Sequence, residues 1–207
     1  MKKTCLSLYF YYQTLCQHLS IFSGFASLAI RLYLVPILWM AGYNKLSYFS
    51  GTVEWFGNTE WGLGLPFPTL LAGLATFSEL AGAVLLLLGL FTRLISIPLI
   101  VTMLVAIFTV HWPNGWQAIA DPIAPFANQQ VLDSVEKLEV AREVLDVHSN
   151  YDWITSSGSI VILNNGIEFA ATYLVMFFAL LVLGGGRFVS FDFWLNYSLK
   201  SRLKHNV

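Results

Sequence analysis

The chain predicts an all-α fold: a membrane four-helix transmembrane bundle with an interfacial N-terminal helix and an extramembrane amphipathic helix. Three observations carry that expectation. Four apolar stretches, near residues 26–49, 68–91, 94–111 and 164–183, have lengths near the roughly 20 residues a helix needs to cross a bilayer core. Hydrophobic residues make up 57% of the chain and charged residues only 11%, with a mean hydropathy of +0.66, whereas soluble domains carry about a quarter charged residues. The few charges are also sorted along the chain, with Lys and Arg gathered beside short turns and tails. Residues 1–207 read as a single integral membrane domain, with residues 112–163 as an insert outside the bilayer.

Ala26 to Phe49 is the first span. As a helix, its residues would cover about 36 Å at 1.5 Å each, enough for a hydrocarbon core of about 30 Å. Arg31 and Lys45 interrupt it. Their separation is close to four turns, so both project from roughly one face. Gly42 lies on that face, where a small residue admits a neighbouring helix. Ahead of this span, Lys2 and Lys3 open a stretch rich in Leu, Tyr and Phe that superficially resembles a secretory signal. Gln13, Gln17 and His18 break its apolar run, so it reads as a retained interfacial helix with Tyr9, Phe10 and Tyr11 among the headgroups.

The Gly- and Pro-punctuated stretch after the first span carries Trp55, Phe56, Trp61 and Phe67 and reads as a loop lying on the membrane, because aromatic belts form at that depth. Pro68 to Phe91 is the second span, with Glu79 near its middle. Thr92 and Arg93 form a tight turn, so the third span, Leu94 to His111, must run back antiparallel. Pro98 inside it is tolerable, since membrane helices re-satisfy the freed backbone groups locally. The insert is too long to be a structureless connection. Within it, Val131, Val135, Leu138, Ala141 and Leu145 recur at helical spacing, with Asn128 available as an N-cap. Asp121, Asp133, Glu136, Glu139, Glu143, Asp146 and Asp152 outweigh Lys137 and Arg142, for a net of −5. An acidic face does not bind anionic headgroups, so this helix either covers the loops or meets a partner. Asn164 to Leu183 is the fourth span, closed by a Gly-rich turn, and the tail with Trp194, Tyr197, Lys200, Arg202 and Lys204 is interfacial.

Lys2, Lys3, Arg93, Arg187, Lys200, Arg202 and Lys204 fall on one side of a four-span arrangement. The positive-inside rule then places both termini in the cytoplasm and the acidic insert on the outer side. Sorted charge of this kind forms no basic surface for nucleic acid. Cys5 and Cys16 would sit about 16 Å apart along a helix, too far for a disulfide. With no Cys-x-x-Cys pair anywhere, a dithiol oxidoreductase is disfavoured, and the two thiols read as small apolar residues.

Arg31 followed by Gly42-Tyr-Asn-Lys45-Leu46 resembles the opening signature of the DoxX family of small bacterial membrane proteins. Glu79-Leu-Ala-Gly82, the run from Gly89 to Arg93, and the closing run from Gly184 through Arg187 and Ser190 to Asp192 are similar to further segments of that family. The resemblance implies a four-helix protein of the bacterial inner membrane, tied to quinone- or sulfur-linked redox chemistry. The long insert departs from compact members and is similar to a subgroup found beside iron enzymes that modify copper-binding peptides.

Glu79 is the first candidate for chemistry. An ionisable group near a span's centre costs about 2.5–3.5 kcal/mol on insertion scales, so it asks for a reason. Two readings compete: a proton-accepting or ligand-binding carboxylate, and a protonated or Lys-paired carboxyl that fixes helix packing. Lys45, His111, Asn164, Asn165 and Glu168 belong to the outer ends of their spans and could join Glu79 in a polar pocket for a quinone headgroup or a proton, against ordinary interfacial polarity. At least one of Glu79 and Glu168 is expected to pair with Lys45. Arg31 reads as a cation that snorkels to headgroups. His111 has no second His or Cys at ligand spacing, so no metal site is expected. Neither a nucleotide fingerprint nor a nucleophile triad is present, and no covalently bound cofactor is expected. Quinone is the candidate cofactor, and electrons would come from it or from a partner. By that resemblance the chain reads as the membrane subunit of a quinone- or sulfur-linked redox system, with the bilayer, a soluble or membrane redox partner at the acidic insert and self-association as its contacts. The competing reading is a non-catalytic scaffold or transport accessory, for instance in maturation of a metal-binding peptide.

Overall fold

The membrane-length helices begin and end where local chemistry dictates. In the computed structural model, which describes residues 9–17 and 22–205 and side chains as far as Ser201, residues 9–17 are helical and their Tyr9, Phe10 and Tyr11 are exposed. Lys2, Lys3, Cys5 and His18 lie outside the described residues, as do the side chains of Arg202 and Lys204. Helix α1 spans Ser23–Ser47 and α2 spans Phe49–Gly57. Helix α3, Pro68–Leu88, has proline at its first position, where a missing N–H costs nothing, and stops at Gly89, whose φ of 61° is the left-handed cap glycine takes readily. Helix α4, Thr92–Ala106, runs on through a π-helical turn, Ile107–His111, and a 3-10 turn, Trp112–Asn114. Helices α5 (Gln129–His148) and α6 (Tyr151–Thr155) belong to the insert, α7 is Glu168–Leu183, and α8 is Phe191–His205. No strand occurs among the described residues, where the sole β-bridge joins Ile119 to Leu163.

Among the described residues, three helical stretches are long and apolar enough to cross a membrane: Ser23–Ser47, Pro68–Leu88 and Thr92–Asn114. The fourth, α7, is apolar but has only 16 residues. The expected span from Asn164 loses its first turn because residues 164–167 spend their backbone N–H groups on carbonyls of residues 115–118, and Asn165 stands at a φ of 58°. A second correction concerns the stretch after the first span, which opens with α2 instead of a loop. Tyr48 breaks the helix there and α2 resumes one residue later, burying Phe56.

The chain divides into two compact units, Met1–Thr102 with Val175–Val207, and Met103–Leu174. In the first, α1, α3, the start of α4 and the end of α7 pack through small residues. A Cβ on Gly82 would meet Leu99 of α4 at 3.0 Å and Leu38 of α1 at 3.5 Å. Ser27 donates to the Gly184 carbonyl, joining α1 to the end of α7. Leu34, Leu38, Ala72, Leu86, Leu99, Phe177 and Leu180 fill the interior. The buried set also includes Ser27, Arg31, Thr76, Glu79, Thr92 and Ser96, while Leu32, Trp39, Phe77, Leu87, Leu94 and Phe178 are exposed. Polar groups inside and large apolar groups outside are the arrangement of an all-α membrane bundle, because lipid contributes no hydrophobic force between helices and packing and hydrogen bonds hold them instead.

In the second unit Asn128 caps α5 by accepting from the Val131 N–H at 3.0 Å, the cap its sequence position predicts. Val131 and Ser134 are buried and Val135, Leu138 and Leu145 half-buried on the inner face of α5, whereas Ala141 is exposed. Arg142 donates to the Ile160 carbonyl at 3.2 Å, tying the helix to the returning strand of chain.

Candidate functional site

Among the described residues of the first unit, two charged groups are buried, Arg31 and Glu79, and each is placed by a close helix approach. Gly42 lets α1 lie against α3: a Cβ there would stand 2.8 Å from Leu80 Cγ and 3.1 Å from Glu79 Cβ. Lys45, less than one turn further along α1, thereby reaches Glu79, and its Nζ donates to Oε1 at 2.9 Å and Oε2 at 2.8 Å. The Glu79 side chain is 4% exposed and that of Lys45 26% exposed, so the carboxylate is sealed while the ammonium keeps a route outward. The expected pairing of Lys45 is thus made by Glu79. With both carboxylate oxygens engaged, the two charges satisfy each other without further partners.

Arg31 corrects the expectation of snorkelling. It is 0% exposed, and its guanidinium turns inward. Nη1 donates to the Leu86 carbonyl at 2.9 Å, and Nη2 to the carbonyls of Phe188 and Val189, both at 3.1 Å. The Leu86 carbonyl belongs to the last turn of α3 and also accepts from the Gly89 N–H at 3.2 Å, whereas Phe188 and Val189 stand in the turn between α7 and α8, outside either helix. One planar fork therefore joins the end of α3 to the turn between α7 and α8. Gly89 is required beneath it, since a Cβ there would fall 2.3 Å from Nη1. Ser190 donates to the Gly89 carbonyl at 3.0 Å, and Asp192 accepts from the Phe91 and Thr92 N–H groups at 2.8 and 3.0 Å. Asp192 is near enough to act electrostatically on Arg31. Sequence reasoning noticed Gly89, Ser190 and Asp192 as motif residues without assigning them work. The available signal was a carboxylate near the start of α8 and a polar turn, which do not reveal that they cap a helix about 100 residues away.

The remaining candidates, His111, Asn164, Asn165 and Glu168, lie in the second unit. His111 Nδ1 and Asn114 Nδ2 both donate to the Asn165 carbonyl, at 2.9 and 3.1 Å, so His111 carries its proton on Nδ1 there. Asn164 Nδ2 donates to the carbonyls of Asn114 and Gln117, at 2.8 and 2.7 Å. Glu168 accepts from the Ala118 N–H at 2.9 Å. In this group the side chains satisfy backbone, tying the end of the third membrane-length stretch to the entry of α7. Among the described residues no three His, Cys, Asp or Glu side chains converge into a group that could hold a metal ion.

The fold and these buried charges define an all-α membrane protein whose helices are joined by a buried ion pair and a buried guanidinium. Residues 26–112 match the DoxX family model. It is 32% identical to "Inner membrane protein YphA" of Escherichia coli (strain K12) over 99 residues, which cover 47% of this chain and 66% of that protein. No solved structure matches the chain. The matched region holds Arg31, Lys45, Glu79 and Gly89, while their partners at Phe188, Val189, Ser190 and Asp192 come from beyond it.

Proposed function

We propose that this chain is a multi-pass DoxX protein of the bacterial inner membrane that serves a quinone-linked redox system as its membrane subunit, with Lys45 and Glu79 exchanging a proton at the quinone headgroup. The supporting observation is the asymmetric burial of the pair, with Glu79 sealed and Lys45 a quarter exposed. Such a pair can relay a proton between a ligand beside the ammonium and the protected carboxylate without exposing both charges to lipid. Membranes carrying Glu79→Gln are expected to hold normal protein levels yet to lose at least tenfold in quinone reduction supported by the native electron donor. Full activity in Glu79→Gln would leave the pair a purely structural role.

A second reading, a scaffold that recruits a soluble partner, is favoured by α5. Its Val140, Val144 and Val147 are exposed along one face of an otherwise acidic helix. Deleting residues 128–148 separates the two readings: recruitment is lost and quinone reduction kept if α5 is only a docking element.

Both readings place the termini in the cytoplasm and the insert outside, from the distribution of Lys and Arg. In a chain with Cys5 and Cys16 replaced by Ser, a membrane-impermeant thiol reagent applied to spheroplasts is expected to label Ser157→Cys and to spare Ser201→Cys, both exposed positions. The reverse pattern inverts the topology.

A further inference from the structure

A cavity of about 530 Å³ opens in the first unit where α4 begins and α7 ends, lined by Arg93, Arg187, Asp192, Leu94, Phe91 and the glycines from Gly184 to Gly186. Its size falls within the roughly 300–1,000 Å³ of small-molecule sites. Its charge is unbalanced in a specific way. Asp192, the one carboxylate in the lining, already accepts from Phe91 and Thr92 with its two oxygens. Arg93 gives one donor to the Val182 carbonyl at 2.9 Å, and neither Arg93 nor Arg187 has a carboxylate ion-pair partner among the described residues. Two arginines with spare donors therefore line a cavity whose one carboxylate among the described residues is already engaged, an arrangement that fits a phosphate.

The surroundings distinguish a lipid phosphate from a free one. From the lip of the cavity at Leu94, the exposed side of α4 continues through Ile97 and Val101, at spacings that keep them on one helix face. Acyl chains can lie along that stripe while the headgroup sits between the arginines. We infer that this cavity binds the phosphate of an anionic phospholipid, held by Arg93 and Arg187, with the acyl chains along Leu94, Ile97 and Val101. Basic pockets beside membrane helices take such headgroups by the same chemistry. The inference is independent of any quinone chemistry at Lys45 and Glu79.

The test uses the purified full chain in a neutral detergent, with thermal unfolding followed as phosphatidylglycerol, phosphatidylcholine or inorganic phosphate is titrated in. Phosphatidylglycerol is expected to raise Tm, with phosphatidylcholine and inorganic phosphate having no comparable effect at matched concentration. Arg187→Gln is the leading variant, because its side chain makes no described hydrogen bond and its loss should leave the lipid-free Tm in place. It is expected to weaken phosphatidylglycerol binding at least tenfold, and Arg93→Gln combined with it to abolish the shift. Retention of co-purified phosphatidylglycerol, read by native mass spectrometry, should fall in the same order and gives a second readout if the double variant is unstable. Equal shifts with the two lipids, or equal phosphatidylglycerol shifts in wild type and Arg187→Gln, would overturn the inference. An arginine-dependent shift with inorganic phosphate alone would overturn the lipid assignment in favour of a free anion.

Discussion

Arg31→Met is expected to destabilise the protein more than any other single substitution in the membrane region, by about 3–5 kcal/mol. The side chain makes three hydrogen bonds from a site with no exposure, to Leu86, Phe188 and Val189. Hydrogen bonds to a charged group contribute about 1.5–3 kcal/mol each, and a buried carbonyl left without a partner costs about 1–3 kcal/mol. These terms are not additive, since the carbonyls share one fork and the two segments can relax together. For a chain of this size, a loss of about 3 kcal/mol corresponds to a fall in Tm of roughly 6–12 °C. Thermal unfolding of the detergent-purified protein reads it directly. Arg31→Lys should recover only part of the loss, because an ammonium cannot present a planar fork to carbonyls on two segments. A Met variant with wild-type Tm would return Arg31 to an interfacial role.

The second large effect is expected at Lys45. Lys45→Ala leaves Glu79 in a sealed site with no cation, and removing one partner of a buried pair typically costs about 3–5 kcal/mol. Lys45 is 26% exposed, so some solvent screening already weakens the pair and the lower end of that range applies. Glu79→Gln should cost less, because the amide is neutral and the partly exposed ammonium can turn outward. The double variant Lys45→Ala/Glu79→Gln is expected to be more stable than Lys45→Ala alone, and the double-mutant cycle, which also subtracts the effect of Glu79→Gln alone, is expected to give a coupling of about 1–3 kcal/mol for these groups in contact. Additive single effects would mean that the pair contributes nothing as a pair. Gly42→Leu is the natural companion, since a side chain there must displace Leu80 and the Glu79 Cβ and so separate the helices that create the contact.

Much of this architecture is written locally. Apolar run length marks α1, α3 and the stretch Thr92–Asn114 as membrane-length, Pro68 and Gly89 bound α3, and Asn128 starts α5. The meeting of Lys45 with Glu79 was legible too, because Gly42 and Lys45 share a helix face and a carboxylate in the middle of an apolar run demands a cation. What only the tertiary structure decided is where the remaining polar groups find their partners. Arg31 five residues inside an apolar run is compatible with reaching headgroups or turning inward, and the choice was made by carbonyls more than 150 residues away, in the turn between α7 and α8. Asn164 and Asn165 sit in a run apolar enough to read as the start of a span, yet their hydrogen bonds to residues 114–118 hold them out of α7. Hydropathy and periodicity sum over neighbours along the chain and so determine which segments are helical and apolar. The partner of a buried charge or a terminal carbonyl depends on which helix ends meet, a property of three-dimensional packing that no local window contains.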